Sequence, residues 1–222
     1  MYRLLIILLV IVSSCKSEKK PEQSIPAKPL TLAEKIANAH GFENWKNVSE
    51  IQFTFNVDSG EKHYQRSWTW QPKTNAVTML TQKDTISYYT NKVDSTTIKA
   101  DQGFINDKYW ALFPFQLVWD TTASLSEPTK VEAPISKAQL NKTTLTYTKE
   151  GGYTPGDAYD IFYDDNYNIK EWVFRAGNAA EASITNTFES YQDFNGIKIA
   201  LEHKKAGENW NLYFSDVVVK ME

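Results

Sequence analysis

One cysteine in 222 residues excludes any internal disulfide. Histidine is nearly as scarce: His40, His63 and His203 lie far apart, and no pair has metal-ligand spacing. No apolar run reaches the ~20 residues that a membrane-crossing helix needs; Leu4 to Val12 stops well short. A formal charge of −3, from 24 basic and 27 acidic residues, leaves no basic excess. Nothing therefore predicts the positive face that nucleic-acid binding requires. G-x-S-x-G, a P-loop, G-x-G-x-x-G and H-E-x-x-H are all missing, and with them the nucleophile elbow, phosphate cradle, dinucleotide fingerprint and zinc helix. No segment of about 20 to 50 residues repeats, which argues against a propeller or solenoid.

Aromatic residues, by contrast, are abundant: 14% of the chain, with 7 Trp and 12 Tyr. They are densest between Ile105 and Asp120, where Tyr109, Trp110, Phe113, Phe115 and Trp119 crowd one short stretch. Such residues serve core packing on pleated surfaces, or line a cavity or interface. Around this stretch the apolar residues alternate with polar ones, the period of strands. A dense aromatic segment among amphipathic strands points to a curved sheet whose apolar face it covers.

The N-terminus carries the most specific pattern. Arg3 gives a positive start, Leu4 to Val12 is an unbroken apolar run, and Val12-Ser13-Ser14-Cys15 follows. This is the layout of a signal peptide, residues 1–14, and its end resembles the lipobox of bacterial lipoproteins. The resemblance implies cleavage before Cys15 and acylation of its thiol, which anchors the chain to a membrane. A thiol nucleophile is then excluded as well. Residues 15–30 form the lipidated cysteine and a tether: Pro21, Pro26 and Pro29 among charges leave almost nothing apolar to bury. Lys16, where the enteric sorting pattern would place Asp for retention at the inner membrane, implies the outer membrane. We expect the periplasmic face rather than the cell surface, although Lys16-Ser17-Glu18 is loosely similar to surface-export signals.

Residues 31–222 read as one domain. Thr31-Leu32-Ala33-Glu34 is a capping box for a helix that Gly41 ends, with His40 placed to favour the negative end of its dipole. Phe42, Trp45 and Val48 suggest one more helical turn. The period then changes to two: Ile51, Phe53, Phe55 and Val57 share one face of a strand, and Tyr64, Arg66, Trp68 and Trp70 share a face of the next. Residues 75–81 and 85–90 continue the meander. Asn106-Asp107 reads as an N-cap for the aromatic segment, and Pro114 predicts a short helix, a break, then another turn or strand. Residues 120–141 are a long loop or an edge strand. Strands are expected again over 143–149, 158–163, 169–175, 183–191, 197–205 and 209–220. Asn195-Gly196 is a strong hairpin signal between two of them.

Two candidate sites of chemistry fail on inspection. Asp164-Asp165-Asn166 begins like a calcium loop, but Ile169 stands where its glycine belongs and Arg175 where its bidentate glutamate belongs; a hairpin turn is the expectation. Asp157, Asp160 and Asp164 lie near Tyr153 and Tyr159, and acid–base work would require them to converge in a pocket. Exposed turns account for them without it. No catalytic residue, metal ligand or cofactor is assigned.

The order of elements, behind a lipobox, resembles the LolA/LolB-like half-barrel superfamily: a capped helix, about ten antiparallel strands and a helical aromatic insertion midway. Asn106-Asp107, Tyr109-Trp110, Leu112-Phe113-Pro114-Phe115 and Pro155-Gly156-Asp157 resemble uncharacterised relatives among secreted lipoproteins. The resemblance covers residues 31–222. It implies a mainly β, strongly curved open antiparallel sheet, with the helical insertion on a concave face lined with apolar side chains. It also implies a lipid or acyl chain as ligand, for which Trp68, Trp70, Tyr88, Trp110, Phe113, Phe115 and Trp119 are the candidate lining residues. The alternative is an envelope scaffold with a filled core, and a more remote one is a cryptic hydrolase. Oligomeric state and protein partners are not legible.

Overall fold

The capping box forms as the sequence predicts. In a computed structural model that describes residues 28–222, the Thr31 hydroxyl accepts from the Glu34 amide at 3.2 Å, and the Glu34 carboxylate accepts from the Thr31 amide at 2.7 Å. The signal peptide, Cys15 and most of the tether lie outside the described residues. Helix α1 (Leu32–Ala39) buries Ile36 and Ala37, and Gly41 ends it with φ 89°. A Cβ at Gly41 would also stand 1.8 Å from the Gly196 carbonyl, so only glycine fits. His40 corrects one expectation. It is wholly buried, with Nδ1 2.8 Å from the Ile36 carbonyl, and burial pulls its pKa down to about 4. It holds the helix end as a neutral hydrogen-bond partner, not as a cation at the dipole.

A 3-10 turn (Phe42–Asn47) leads into β1 (Val48–Ser59), β2 (Lys62–Gln71), β3 (Ala76–Leu80) and β4 (Thr85–Tyr89). The register sets Ile51 beside Trp70, Phe53 beside Trp68 and Phe55 beside Arg66. Alternation thus builds one inward apolar face, with Arg66 as its partly buried charge midway along β2. The chain then runs through α2 (Ile98–Ala111) and α3 (Phe113–Trp119). The strands β5 (Ala123–Leu125), β6 (Thr129–Glu132), β7 (Gln139–Tyr147), β8 (Ala158–Tyr163), β9 (Ile169–Arg175) and β10 (Ile184–Thr187) follow. The hairpin β11 (Gln192–Phe194) and β12 (Ile197–Ile199) turns at Asn195-Gly196 as expected, and β13 (Glu202–Lys204) and β14 (Trp210–Met221) end the chain. The described residues hold 14 strands where about ten were expected. Residues 120–141 contribute β5, β6 and the start of β7, and residues 197–205 break into β12 and β13.

All pairings are antiparallel. One sheet runs β13-β14-β1-β2-β3-β4, and the other runs β10-β9-β8-β7-β5 with β6 also on β7. They meet at a seam where the Glu189 amide donates to the Glu202 carbonyl (2.9 Å) and the Lys204 amide donates to the Thr187 hydroxyl (3.0 Å). The result is one open, curved antiparallel wall whose far edges, β4 and β5–β6, do not pair with each other. Within the curve, α2 and α3 fill the space between the two sheets. Phe104 and Phe115 belong to the core against the first sheet, and Tyr109, Phe113 and Leu117 to the core against the second.

The start of α2 corrects another expectation. Asn106-Asp107 is not a cap but lies within the helix, which begins two turns earlier. Asp94 makes that start: its carboxylate accepts from the amides of Thr96 (2.9 Å) and Thr97 (3.1 Å), just ahead of Ile98. Because α2 meets a sheet on each side, its apolar residues do not form one stripe, and their spacing hides the helix. Pro114 acts as foreseen: α2 stops at Ala111, and α3 restarts with the proline in its first turn, where its missing amide costs nothing.

Candidate functional site, an aromatic cleft at the rim of the half-barrel

Asp107 locks α2 to β2. Its carboxylate accepts from Arg66 Nε at 2.5 Å and Nη2 at 2.6 Å, and from Trp68 Nε1 at 2.8 Å. Asn106 Nδ2 donates to it as well, at 3.0 Å. Burial raises the pKa of Asp107, and the donors from Arg66, Asn106 and Trp68 oppose that shift. Gly103, one turn earlier, lets the guanidinium approach: a Cβ there would stand 2.7 Å from Arg66 Nη1. Asn106 in turn accepts from the Tyr153 hydroxyl (3.3 Å), and the Tyr153 ring stacks on Tyr109 at 3.6 Å. The inward charge on β2 is therefore a docking device for the helix.

With α2 fixed this way, the next residue, Lys108, turns toward the edge of the first sheet. There a cleft of about 500 Å³ opens between the 3-10 turn, β2 and the end of α3. Its walls are Trp45, Trp70 and Trp119, with Lys108, Gln116, Asp120, Pro72, Thr121 and Thr122 around them. The three indoles are half-buried and in mutual contact: Trp45 lies 5.3 Å from Trp70 and 5.1 Å from Trp119, centroid to centroid. Lys108 Nζ lies 5.5 Å from the Trp70 ring and 5.8 Å from Trp119, with Phe104 at 5.7 Å. Burial lowers the pKa of this ammonium, and Asp101 acts on it only from a distance. Gln116 Oε1 is buried without a protein partner. The arrangement offers flat apolar surface, a cation and an amide to one occupant.

The seven candidate lining residues divide. Trp70 and Trp119 line this cleft. Trp68, Tyr88, Phe113 and Phe115 are buried at 6% exposure or less and belong to the packed interior. Trp110 lines a smaller pocket of about 190 Å³ on the other side of α2, with Tyr109, Tyr153, Tyr159 and Trp172. Sequence reading missed Trp45, Lys108 and Gln116. Trp45 was legible only as part of a helical turn, and no spacing rule connects it to residues 108 and 116.

The three aspartates have separate duties. Asp157 accepts from the Gly177 amide (2.6 Å), Asp160 accepts from Thr144 (2.6 Å) and pairs with Arg175 (3.3 Å). Asp164 organises the 164–168 turn, accepting from the Asn166 and Asn168 amides at 2.9 Å each. The calcium-like stretch is thus a hairpin turn, and no metal-binding cluster of carboxylates and histidines forms among the described residues.

No protein-family model matches the chain, and no curated protein does either. Among solved structures, it is similar to a LolA superfamily protein from Nitrosomonas europaea (8% identity, 87% of this chain and 96% of that one, TM-score 0.48). It is similar also to a DUF1329 family protein from Desulfovibrio piger (9% identity, 85% and 90%, TM-score 0.44). A third is an outer-membrane lipoprotein-sorting protein domain from Vibrio parahaemolyticus (10% identity, 85% and 93%, TM-score 0.42).

Proposed function

We propose that this protein is an envelope lipoprotein, anchored through Cys15, that binds an apolar ligand such as an acyl chain and performs no chemistry on it. The observation that carries this reading is the cleft walled by Trp45, Trp70 and Trp119. Indole surface left half in water at the rim of a folded domain gains about 25 cal/mol for each Å² that a ligand covers. Three such faces around one cleft of ligand size are a binding surface more than a packing remainder. The seat differs from the one first expected, because α2 and α3 already fill the concavity. The lipobox supports the lipid anchor and Lys16 supports the outer membrane, with the tether holding the cleft clear of the bilayer on the periplasmic side.

Calorimetric titration of the purified protein with 1-decanol tests the reading. Binding at one site is expected, with at least a tenfold loss in Trp45→Ala and Trp119→Ala. The filled interior favours a second reading, an envelope scaffold. Decanol that does not bind, or that binds equally to both variants, would overturn the first reading and leave that one.

A further inference from the structure

We propose that the cleft takes an anionic amphiphile, with its chain against Trp45, Trp70 and Trp119 and its acidic head on the ammonium of Lys108. This rests on the apolar-ligand reading and names the polar end of that ligand.

Lys108 sits in the last turn of α2, one residue past the aspartate that locks the helix, so its position is set by the fold and not by a flexible loop. Its ammonium faces three aromatic rings at 5.5 to 5.8 Å. Ring faces attract a cation but accept little from its three N–H donors, at ~0.5–2 kcal/mol per ring. No hydrogen bond or ion pair to a described residue completes the shell, and Asp101 acts on it through space without bonding it. Two lysines elsewhere on this surface have carboxylate partners instead. Lys204 bonds both Glu189 and Glu202 at 3.1 Å, and Lys220 bonds Glu50 at 2.7 Å.

The cleft's own carboxylate does not serve Lys108. One oxygen of Asp120 is held by Thr122, whose amide and hydroxyl donate to it at 2.9 and 2.6 Å. Gln116, which also lines the cleft, supplies the second polar contact through its amide N–H. An acidic headgroup then receives a charge-assisted hydrogen bond from Lys108 and an amide N–H from Gln116. A cationic head leaves the ammonium desolvated and unpaired, which is the costlier state, and an uncharged hydroxyl offers it a weaker acceptor than a carboxylate does.

Three ligands of one chain length separate the headgroup from the chain: decanoate and decyltrimethylammonium, titrated calorimetrically below their micelle concentrations, and 1-decanol, titrated below its solubility limit. Decanoate is expected to bind about tenfold more tightly than decanol, the ratio that one charge-assisted hydrogen bond supplies, with the ammonium compound weakest. Lys108→Met should abolish the preference for decanoate over decanol, and Lys108→Arg should keep it. Equal affinity for all three, or a preference that survives Lys108→Met, overturns the anionic head while the apolar site stands. Absence of binding by all three overturns both.

Discussion

Arg66 on β2 and Asp107 on α2, 41 residues apart in sequence, meet through two hydrogen bonds of 2.5 and 2.6 Å while the carboxylate is wholly buried. This one pair decides how the helical segment enters the half-barrel. It fixes the rotation of α2, and so sends Phe104 toward one sheet, Tyr109 toward the other and Lys108 toward the rim. A buried pair of this kind contributes more to orientation than to net stability, because both charges must leave water.

Removing one partner should therefore cost more than removing both. Asp107→Asn and Arg66→Met are each expected to lower unfolding free energy by ~3–5 kcal/mol, since each strands a buried charge. The double variant should lose clearly less than the sum. Denaturant unfolding of the three proteins measures it, and strict additivity would contradict the pairing.

Acid should weaken the fold through two buried histidines. His40 and His203 are wholly buried, and desolvation lowers each pKa from 6.5 to about 4. The unfolded chain then binds more protons between those values, so stability is full above pH 6.5 and falls as pH drops toward 4. The loss approaches roughly 3 kcal/mol per histidine at 1.36 kcal/mol per pH unit. His203→Gln should flatten this part of the pH profile, and an unchanged slope would show that His203 titrates alike in the folded and unfolded chain.

Core and cleft aromatics should respond differently. Phe113 is wholly buried, 4.7 Å from Trp172 and 5.2 Å from Tyr109, so Phe113→Ala should cost ~3–5 kcal/mol. Trp119→Ala removes a half-buried ring and should cost less, while abolishing most of the decanol heat. Equal destabilisation by the two variants would place Trp119 in the core rather than in a binding surface.

Cys15→Ala should release the protein from the envelope fraction, because the chain has no second thiol to acylate. Cell fractionation decides this directly. Sedimentation as tight as wild type would remove the lipid anchor from the proposal.

Deleting residues 16–29 should leave the thermal midpoint of the remainder nearly unchanged, as expected for a polar, proline-punctuated tether without apolar anchors. A fall of several degrees would mean that this segment packs on the domain.

Local chemistry was legible in the sequence wherever local chemistry is the cause. The Thr31–Glu34 capping box, the Pro114 break, the Asn195-Gly196 hairpin and the alternation of Ile51, Phe53 and Phe55 each follow from bonding or sterics within a few residues. Architecture was legible for the same reason, since period-two patterning along strand after strand leaves a curved sheet as the way to bury one face. The tertiary structure alone decided which aromatics became core and which became cleft. Trp68 and Trp70 share a strand face two residues apart, yet α2 covers the first and leaves the second at the rim. It also decided the start of α2, because a helix packed on two sides carries no single apolar stripe, and the use of Arg66, whose partner arrives from a distant helix. Lys108 shows the limit most clearly: its sequence neighbours mark it as an ordinary helical lysine, and only the fold around it surrounds its charge with rings and leaves it without an ion pair among the described residues.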